Sequence, residues 1–309
     1  MRALVFVSLL SACSMASADV TFQSAHVMVV DESSGEVLLK KNIGVAAPIA
    51  SMTKLMTAMV VLDAQQDPDE ELRIDAADVD VLKHSRGGVR VGTVASRASL
   101  LELALLASDN RAASALARAY PGGLQAFHAA VQRKIQAFGL ESTSIAEPTG
   151  LSASNVSSAR DMVAVLRAAA RYPAIAQITS QRSHTVLVGG RQRIVQNTNR
   201  LVGGSQWEVS LSKTGFTNEA GRCLGMQARA DGRTVTVVLM GAANPSGRLR
   251  DSMTIRRWLA AGRPVDAAHS ARPRPESSAG TPAEDGPSDS AADAGPTDRA
   301  QVAPGAESS

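Results

Sequence analysis

The stretch that decides how this chain is interpreted is Pro48-Ile-Ala-Ser-Met-Thr-Lys-Leu-Met-Thr-Ala-Met-Val-Val-Leu62. Apolar residues occur in every turn of the helix that this stretch would form, which predicts a buried helix. Ser51 lies near its start and Lys54 follows three residues later, so both side chains share one face. The unpaired N–H groups and positive dipole end of a helix N-terminus favour a developing anion. A desolvated lysine has a lowered pKa and can deprotonate a serine hydroxyl, which predicts a nucleophile–base pair.

A second motif, Ser108-Asp-Asn110, separates two helical patterns at residues 100–107 and 111–119. A tight loop there can direct a hydroxyl and an amide into a cleft. We expect Ser108 to carry a proton between Lys54 and the leaving nitrogen of a substrate. Asn110 is expected to hold a substrate backbone amide or to position Lys54. Considered alone, this tripeptide is better explained as a helix cap.

The third motif, Lys213-Thr-Gly215, is expected to end an alternating strand that starts at Trp207. Lys213 and Thr214 can bind a carboxylate by charge and hydroxyl. Gly215 lets a substrate backbone approach closely, and the strand edge beyond it can pair with an extended peptide. The N–H groups of Phe216 and Ser51 are expected to form an oxyanion hole. Each motif alone is weak, but the trio in this order is the signature of penicillin-binding proteins and class A β-lactamases.

Strand patterns lie at both ends of the chain and helical patterns lie between them. Residues 26–41 predict a hairpin, and residues 124–138 and 159–171 predict further helices. Strands are expected at 185–188, 207–212, 223–228 and 234–240, with a closing helix at 246–261. The predicted fold class is α/β (α+β): a central antiparallel sheet flanked by helices, with an inserted all-helical subdomain.

The two chain ends differ in composition from the body. Residues 1–18 predict a secretory signal peptide, since an arginine and a short apolar run precede small residues at 16–18. Leu10-Ser-Ala-Cys13 also resembles a lipoprotein box, and either interpretation exports the protein to the periplasm. Residues 19–262 are expected to form one catalytic domain. Residues 263–309 are rich in Pro, Ala, Ser, Gly and Asp, which predicts a disordered tail with no membrane anchor.

Bulk composition excludes several classes of partner. The formal net charge is +3; residues 266–309 contain eight acidic and three basic residues, so the rest carries +8. A mildly basic body suits an acidic polymer. With 3% aromatic residues, single-stranded nucleic-acid binding is not expected. The five histidines and two cysteines show no metal-ligand spacing, so we expect no metal and no cofactor.

With the three motifs in order, the chain resembles the low-molecular-mass penicillin-binding proteins, and among them the D-alanyl-D-alanine endopeptidases. The similarity extends from about residue 26 to 263 and includes Tyr120-Pro-Gly-Gly123 and Glu147-Pro-Thr-Gly-Leu151. It implies an acyl-enzyme on Ser51, Lys54 as proton acceptor, Ser108 as a third active-site residue and Lys213 in substrate binding. The implied substrate is the D-alanyl–meso-diaminopimelate cross-link of peptidoglycan, with β-lactams as covalent inhibitors. Similar proteins have Ser-Glu-Asn where this chain has Ser108-Asp-Asn110, and we expect small effects from that change.

Three other functions remain open at this point. A D-Ala-D-Ala carboxypeptidase would use the same residues. A β-lactamase would need a base to hydrolyse the penicilloyl ester, and Glu147 is the only candidate, although its setting is similar to the peptidase loop. A catalytically silent wall-binding protein would not require Ser51, Lys54, Ser108 and Lys213 together.

Overall fold

The computed structural model describes residues 20–85 and 87–262. The strands are β1 (His26–Asp31), β2 (Val37–Lys41), β3 (Ala47–Pro48), β4 (Glu71–Arg73), β5 (Val94–Ser96), β6 (Val156–Ser157), β7 (Ser183–Val188), β8 (Arg191–Gln196), β9 (Glu208–Thr217), β10 (Gly221–Ala230) and β11 (Arg233–Ala242). The helices are α1 (Thr53–Asp63), α2 (Arg97–Leu106), α3 (Asn110–Arg118), α4 (Gly123–Ala137), α5 (Ala159–Ala169), α6 (Pro173–Thr179) and α7 (Gly247–Ala260). Short 3-10 turns lie at Ala50–Met52 and Ala76–Asp78.

The main sheet is built from both ends of the described chain. Its strand order is β2-β1-β11-β10-β9, and all neighbours are antiparallel. The register places Val29 opposite Val237, so the first strand of the chain pairs directly with the last. β9 lies at one edge of the sheet. An edge strand has unpaired backbone groups along one side, which an extended peptide can use.

Alternating residues of the sheet contribute to two separate hydrophobic cores. Met28 and Val30 of β1 pack into the core shared with helices α1–α6, whereas Val27 and Val29 pack into a second core. The second core includes Trp258 of α7, which packs against β10 and β11. Successive side chains of a strand point to opposite faces, so a sheet with helices on both faces is apolar throughout. The predicted fold class is therefore confirmed.

The insertion between β2 and β9 holds the helices that carry two of the three motifs. Beyond the predicted helices, it contains α6, the two-stranded ribbons β3–β6 and β4–β5, and β8, which the sequence pattern did not predict. β8 pairs with β7, the strand expected at 185–188. β9 also runs on to Thr217, whereas the strand was expected to end at Gly215. The motif Lys213-Thr-Gly215 consequently lies within the edge strand.

The terminal segments are outside the described residues. The predicted signal peptide at 1–18, lipidation of Cys13 and the disordered tail at 263–309 all lie there, so these stay predictions, as do the domain boundaries. Within residues 20–85 and 87–262, no helix has both the length and the apolar character needed to cross a membrane.

Candidate active site

Ser51 and Lys54 meet at the start of α1. Ser51 belongs to the 3-10 turn that leads into the helix, and Lys54 lies in its first turn. The Nζ atom of Lys54 is 3.0 Å from the Oγ atom of Ser51. Lys54 is only 1% exposed. Burial lowers the pKa of Lys54 to about 8, although the charges of Glu147 and Asp109 oppose this shift. Roughly a tenth of this amine is therefore neutral at pH 7, far more than for an ordinary lysine.

Two further contacts orient the Lys54 amine. Its Nζ atom lies 2.7 Å from Oδ1 of Asn110 and 2.6 Å from the carbonyl oxygen of Thr149. Nδ2 of Asn110 donates to Ser85 at 2.9 Å, which fixes the amide with Oδ1 towards Lys54. Both oxygens can only accept, whereas a neutral amine has two N–H donors and one lone pair. With the two donors directed at Asn110 and Thr149, the lone pair is left for the hydroxyl of Ser51.

Two glycines allow the backbone before Ser51 to adopt its position. Ala50 has a φ of +46°, in the left-handed region that L residues seldom occupy. A Cβ atom on Gly150 would lie 1.9 Å from the carbonyl oxygen of Ala50. A Cβ atom on Gly215 would lie 2.8 Å from the carbonyl oxygen of Ile49 and 3.1 Å from the nitrogen of Ser51. The nucleophile segment is thus held between the Gly150 loop and β9 at distances that exclude a side chain.

Ser108 lies in the loop between α2 and α3, as expected. Its φ of +62° places a non-glycine residue in the left-handed region, a feature that often marks functional sites. The following Asp109 caps α3, since its Oδ1 atom accepts from the N–H of Ala112 at 2.9 Å. Its Oδ2 atom accepts from the N–H of Gly88 at 2.7 Å. The carboxylate therefore fixes the loop that presents Ser108, and an aspartate has the reach needed for this cap.

The hydroxyl of Ser108 contacts Lys213 across the site. Nζ of Lys213 donates to Oγ of Ser108 at 2.9 Å, whereas the hydrogen bonds of Lys54 in the described structure go to other groups. Lys213 is 1% exposed. Burial, followed by repulsion from Lys54 and from Arg248, lowers the pKa of Lys213 well below its usual value. An incoming carboxylate would relieve that repulsion.

Thr214 extends the Lys213 site towards the neighbouring loop. Its hydroxyl donates to the hydroxyl of Thr198 at 2.7 Å, and Lys213 also donates to the carbonyl oxygen of Thr214 at 3.1 Å. Phe216 follows on β9 with a side chain that is 49% exposed. The three motifs thus converge on one site, and the predicted residues Ser51, Lys54, Ser108, Asn110, Lys213, Thr214, Gly215 and Phe216 lie on its elements.

Glu147 organises the loop that supplies the Thr149 carbonyl. Its carboxylate accepts from the N–H groups of Thr149 at 2.7 Å, Gly150 at 2.6 Å and Ser152 at 3.2 Å. Nδ2 of Asn155 donates to the same carboxylate at 3.1 Å. Both carboxylate oxygens are therefore engaged by the protein itself. This arrangement suits a structural role better than the activation of a water molecule.

Sequence reasoning missed two contributors to the site. Thr149 acts through its backbone carbonyl, which has no side-chain signature, although Glu147-Pro-Thr-Gly-Leu151 was noted as a motif. Thr198 acts through a hydroxyl in an irregular loop, and no sequence signal identified it. Among the described residues, no group of three or more His, Cys, Asp or Glu side chains could hold a metal ion.

Comparisons with known proteins point to one family. The sequence profile described as D-alanyl-D-alanine carboxypeptidase, peptidase family S11, matches residues 13–244. A D-alanyl-D-alanine endopeptidase of Pseudomonas aeruginosa is 42% identical over 241 residues, covering 77% of this chain and 78% of the relative. One of Escherichia coli is 40% identical over 249 residues, covering 79% and 80%. A D-alanyl-D-alanine carboxypeptidase of Mycobacterium tuberculosis is 32% identical over 224 residues, covering 71% and 76%.

Solved structures agree with this similarity. A penicillin-binding protein homologue from Mycobacterium tuberculosis superposes with a TM-score of 0.72 and 28% identity, covering 81% of this chain and 96% of the other. Penicillin-binding protein D2 from Listeria monocytogenes, in its ampicillin-bound form, has a TM-score of 0.66 and 25% identity, covering 78% and 98%.

Proposed function

This chain belongs to the D-alanyl-D-alanine carboxypeptidase family of serine peptidases, and from that premise we propose that it hydrolyses the D-alanyl–meso-diaminopimelate cross-links of peptidoglycan. The proposal is a serine DD-endopeptidase that acts through an acyl-enzyme on Ser51 and is inhibited by β-lactams. Its similarity to two endopeptidases over more than three quarters of the chain supports this activity. The predicted leader, with an alternative lipid on Cys13, supports a periplasmic location.

The observation that carries the chemistry is the environment of Lys54. Because Asn110 and Thr149 use both donors of the neutral amine, its lone pair can take the proton of Ser51. Ser51 Oγ then attacks the carbonyl carbon of the D-alanyl bond. The N–H groups of Ser51 and Phe216 are proposed to stabilise the negative charge that develops on the carbonyl oxygen.

Collapse of the tetrahedral intermediate needs a proton on the leaving nitrogen. We assign its delivery from Lys54 through the hydroxyl of Ser108, which is held by Lys213 across the site. The free carboxylate beside the scissile nitrogen would bind Lys213 and Thr214. That carboxylate would replace Ser108 as a partner of Lys213 and free its hydroxyl for proton transfer. Water then hydrolyses the ester on Ser51 and regenerates the enzyme.

A D-Ala-D-Ala carboxypeptidase is the second candidate, since one relative named as a carboxypeptidase shares 32% identity with this chain. Both reactions use a carboxylate beside the scissile amide, so Lys213 and Thr214 fit either substrate. A β-lactamase is less well supported because Glu147, its only candidate base, is occupied by the N–H groups of its own loop. A non-catalytic wall-binding protein is disfavoured by the oriented Ser51–Lys54 pair.

The test is a direct comparison of two substrates. Purified protein is incubated with cross-linked dimeric muropeptides and with monomeric pentapeptides, and the products are resolved by mass spectrometry. Loss of dimers without loss of terminal D-Ala supports the endopeptidase, and the reverse supports the carboxypeptidase. Ser51→Ala is the matched control, and dimer cleavage that persists in this variant would contradict the acyl-enzyme.

A further inference from the structure

A groove of about 740 Å³ opens next to the Lys213–Thr214 site. Its lining includes the Thr198–Arg200 loop segment, Arg222 of β10, and Ser246 and Arg248 at the start of α7. Thr198 connects the groove to the active site, because its hydroxyl accepts a hydrogen bond from Thr214. The register of the sheet places Arg222 opposite Phe216. The backbone N–H of Phe216 is the group expected to stabilise the oxyanion. The groove therefore begins where the carboxylate of the leaving residue is expected to bind.

The groove is strongly cationic. Three arginines, Arg200, Arg222 and Arg248, line it, and no carboxylate of the described part of the chain does. None of the ion pairs within residues 20–85 and 87–262 involves any of the three. Burial, followed by repulsion from Arg222 and then from Arg200, lowers the pKa of Arg248. Like charges kept together without a counter-charge are costly, which indicates an anionic ligand.

Donors without partners lie in the same groove. The Asn199 side chain is 5% exposed, and its amide nitrogen has no hydrogen-bond partner among the described residues. The Nε atom of Arg222 is also buried, with no partner within residues 20–85 and 87–262, while its guanidinium stacks on Phe216 at 4.3 Å. Helix α7 starts at the groove, and Ser246 makes no side-chain cap there. Buried donors are normally satisfied, so these groups together describe an incomplete anion site.

We propose that this groove binds a second carboxylate, carried by the leaving peptide strand, and that Arg200 and Arg222 recognise it. The inference rests on the proposed function, since the first carboxylate is the one that Lys213 and Thr214 bind. A substrate that releases only a single amino acid has no group to reach the groove, whereas a leaving peptide with further carboxylates does. The groove would therefore favour cross-link cleavage over removal of a terminal residue.

The test compares leaving groups and variants. Wild type, Arg200→Gln, Arg200→Lys and the double variant Arg200→Gln/Arg222→Gln are assayed on a dimeric muropeptide and on the same dimer with the carboxylates of its leaving strand amidated, except the one beside the scissile nitrogen. We expect about a tenfold lower kcat/KM for the amidated dimer with wild type, and a similar loss on the native dimer with Arg200→Gln. Arg200→Lys should restore part of that loss. Arg229→Gln is the matched control, since Arg229 lies on β10 with Arg222 but outside the groove.

A second readout does not depend on hydrolysis. A released peptide with both carboxylates free should slow penicillin labelling of the wild-type protein. It should do so about tenfold more effectively than the same peptide amidated at the second carboxylate, the one assigned to the groove. That preference should disappear in the double variant. The double variant should also lose more in kcat/KM on the dimer than it loses in the rate of penicillin labelling. Equal competition by both peptides would overturn the inference. Failure of wild type to cleave dimers, with the competition preference intact, would instead overturn the proposed endopeptidase activity.

Discussion

The Nζ atom of Lys213 lies 2.9 Å from the Oγ atom of Ser108, although 105 residues separate them in the chain. This contact joins the edge strand of the sheet to the loop between α2 and α3. It pairs the proposed carboxylate-binding lysine with the proposed proton carrier before any substrate arrives. In the proposed mechanism, this one hydroxyl would couple substrate binding to proton transfer.

Removing that hydroxyl should slow acylation strongly. We expect Ser108→Ala to lower the second-order rate constant for penicillin acylation by about 10²–10⁴-fold, the usual range for a positioned proton-transfer group. The φ of Ser108 is +62°, so an alanine there keeps the backbone strain that the serine already carries. Ser108→Gly removes the hydroxyl without that strain. Stopped-flow labelling of both variants should give similar losses, and a glycine variant close to wild type would contradict a role for the hydroxyl.

Acylation should depend on pH through Lys54. The pKa of Lys54 is lowered to about 8, so at pH 7 roughly a tenth of the amine is neutral. The base is the neutral form, and the rate constant should therefore fall about tenfold for each pH unit below 8 and level off above it. The lowered pKa of Lys213 means that the charge that binds the carboxylate is lost at a lower pH than for an ordinary lysine, which limits the rise of the profile with pH. A profile that is flat between pH 6 and 8, with unchanged circular dichroism, would refute Lys54 as the base.

A methyl group at Gly215 should displace the nucleophile. It would lie 2.8 Å from the carbonyl oxygen of Ile49 and 3.1 Å from the nitrogen of Ser51. We expect Gly215→Ala to cost about 1–3 kcal/mol of unfolding free energy and about 10²-fold in acylation rate. Gly44→Ala is the matched control, because nothing lies within 4 Å of its Cβ position. Chemical denaturation and penicillin labelling measure the two effects, and wild-type labelling of Gly215→Ala would rule out the tight contact.

Glu147 should matter for loop stability and not for deacylation. Its carboxylate accepts from several donors of the 147–155 loop, and a hydrogen bond to a charged group contributes about 1.5–3 kcal/mol. We expect Glu147→Gln to lower the unfolding free energy by about 3 kcal/mol. The exposed Glu141→Gln serves as the control.

The penicilloyl adduct on Ser51 should be long-lived in wild type and in Glu147→Gln. No free carboxylate oxygen of Glu147 remains to activate water, since both oxygens are engaged by the loop. Intact-protein mass spectrometry over time measures the decay of the adduct. Rapid penicillin turnover by wild type that is lost in Glu147→Gln would establish a β-lactamase instead.

The sequence predicted those parts of the site whose chemistry resides in side chains. Ser51 and Lys54 were identified because a helical period places residues three apart on one face, and the structure has them 3.0 Å apart. Thr149 could not be found this way because its contribution is a carbonyl oxygen, which every residue has. The pairing of Ser108 with Lys213, in place of Lys54, depends on tertiary distances that spacing does not encode.

The strands of the main sheet and the longer helices were predicted because their apolar residues follow a regular period. The elements that were not predicted lack such a period. β8 reads Arg191-Gln-Arg-Ile-Val-Gln196 and buries a single side chain, so its sequence lacks an apolar alternation. α6 has seven residues, too few to display a helical period. β9 passes through Gly215 without ending there because β10 continues to pair with it as far as Gly221 opposite Thr217.

The position of β11 between β1 and β10 has a consequence for biogenesis. While the polypeptide is being made, the β1–β2 hairpin lacks its neighbour β11 until residue 242 has been synthesised. Until then the sheet that holds Lys213 opposite Ser51 is incomplete. Long-range pairing of this kind is slow to form and is completed last. Hydrolytic capacity therefore arises only after nearly the whole folded domain has been synthesised, and truncated chains should be inert towards the wall.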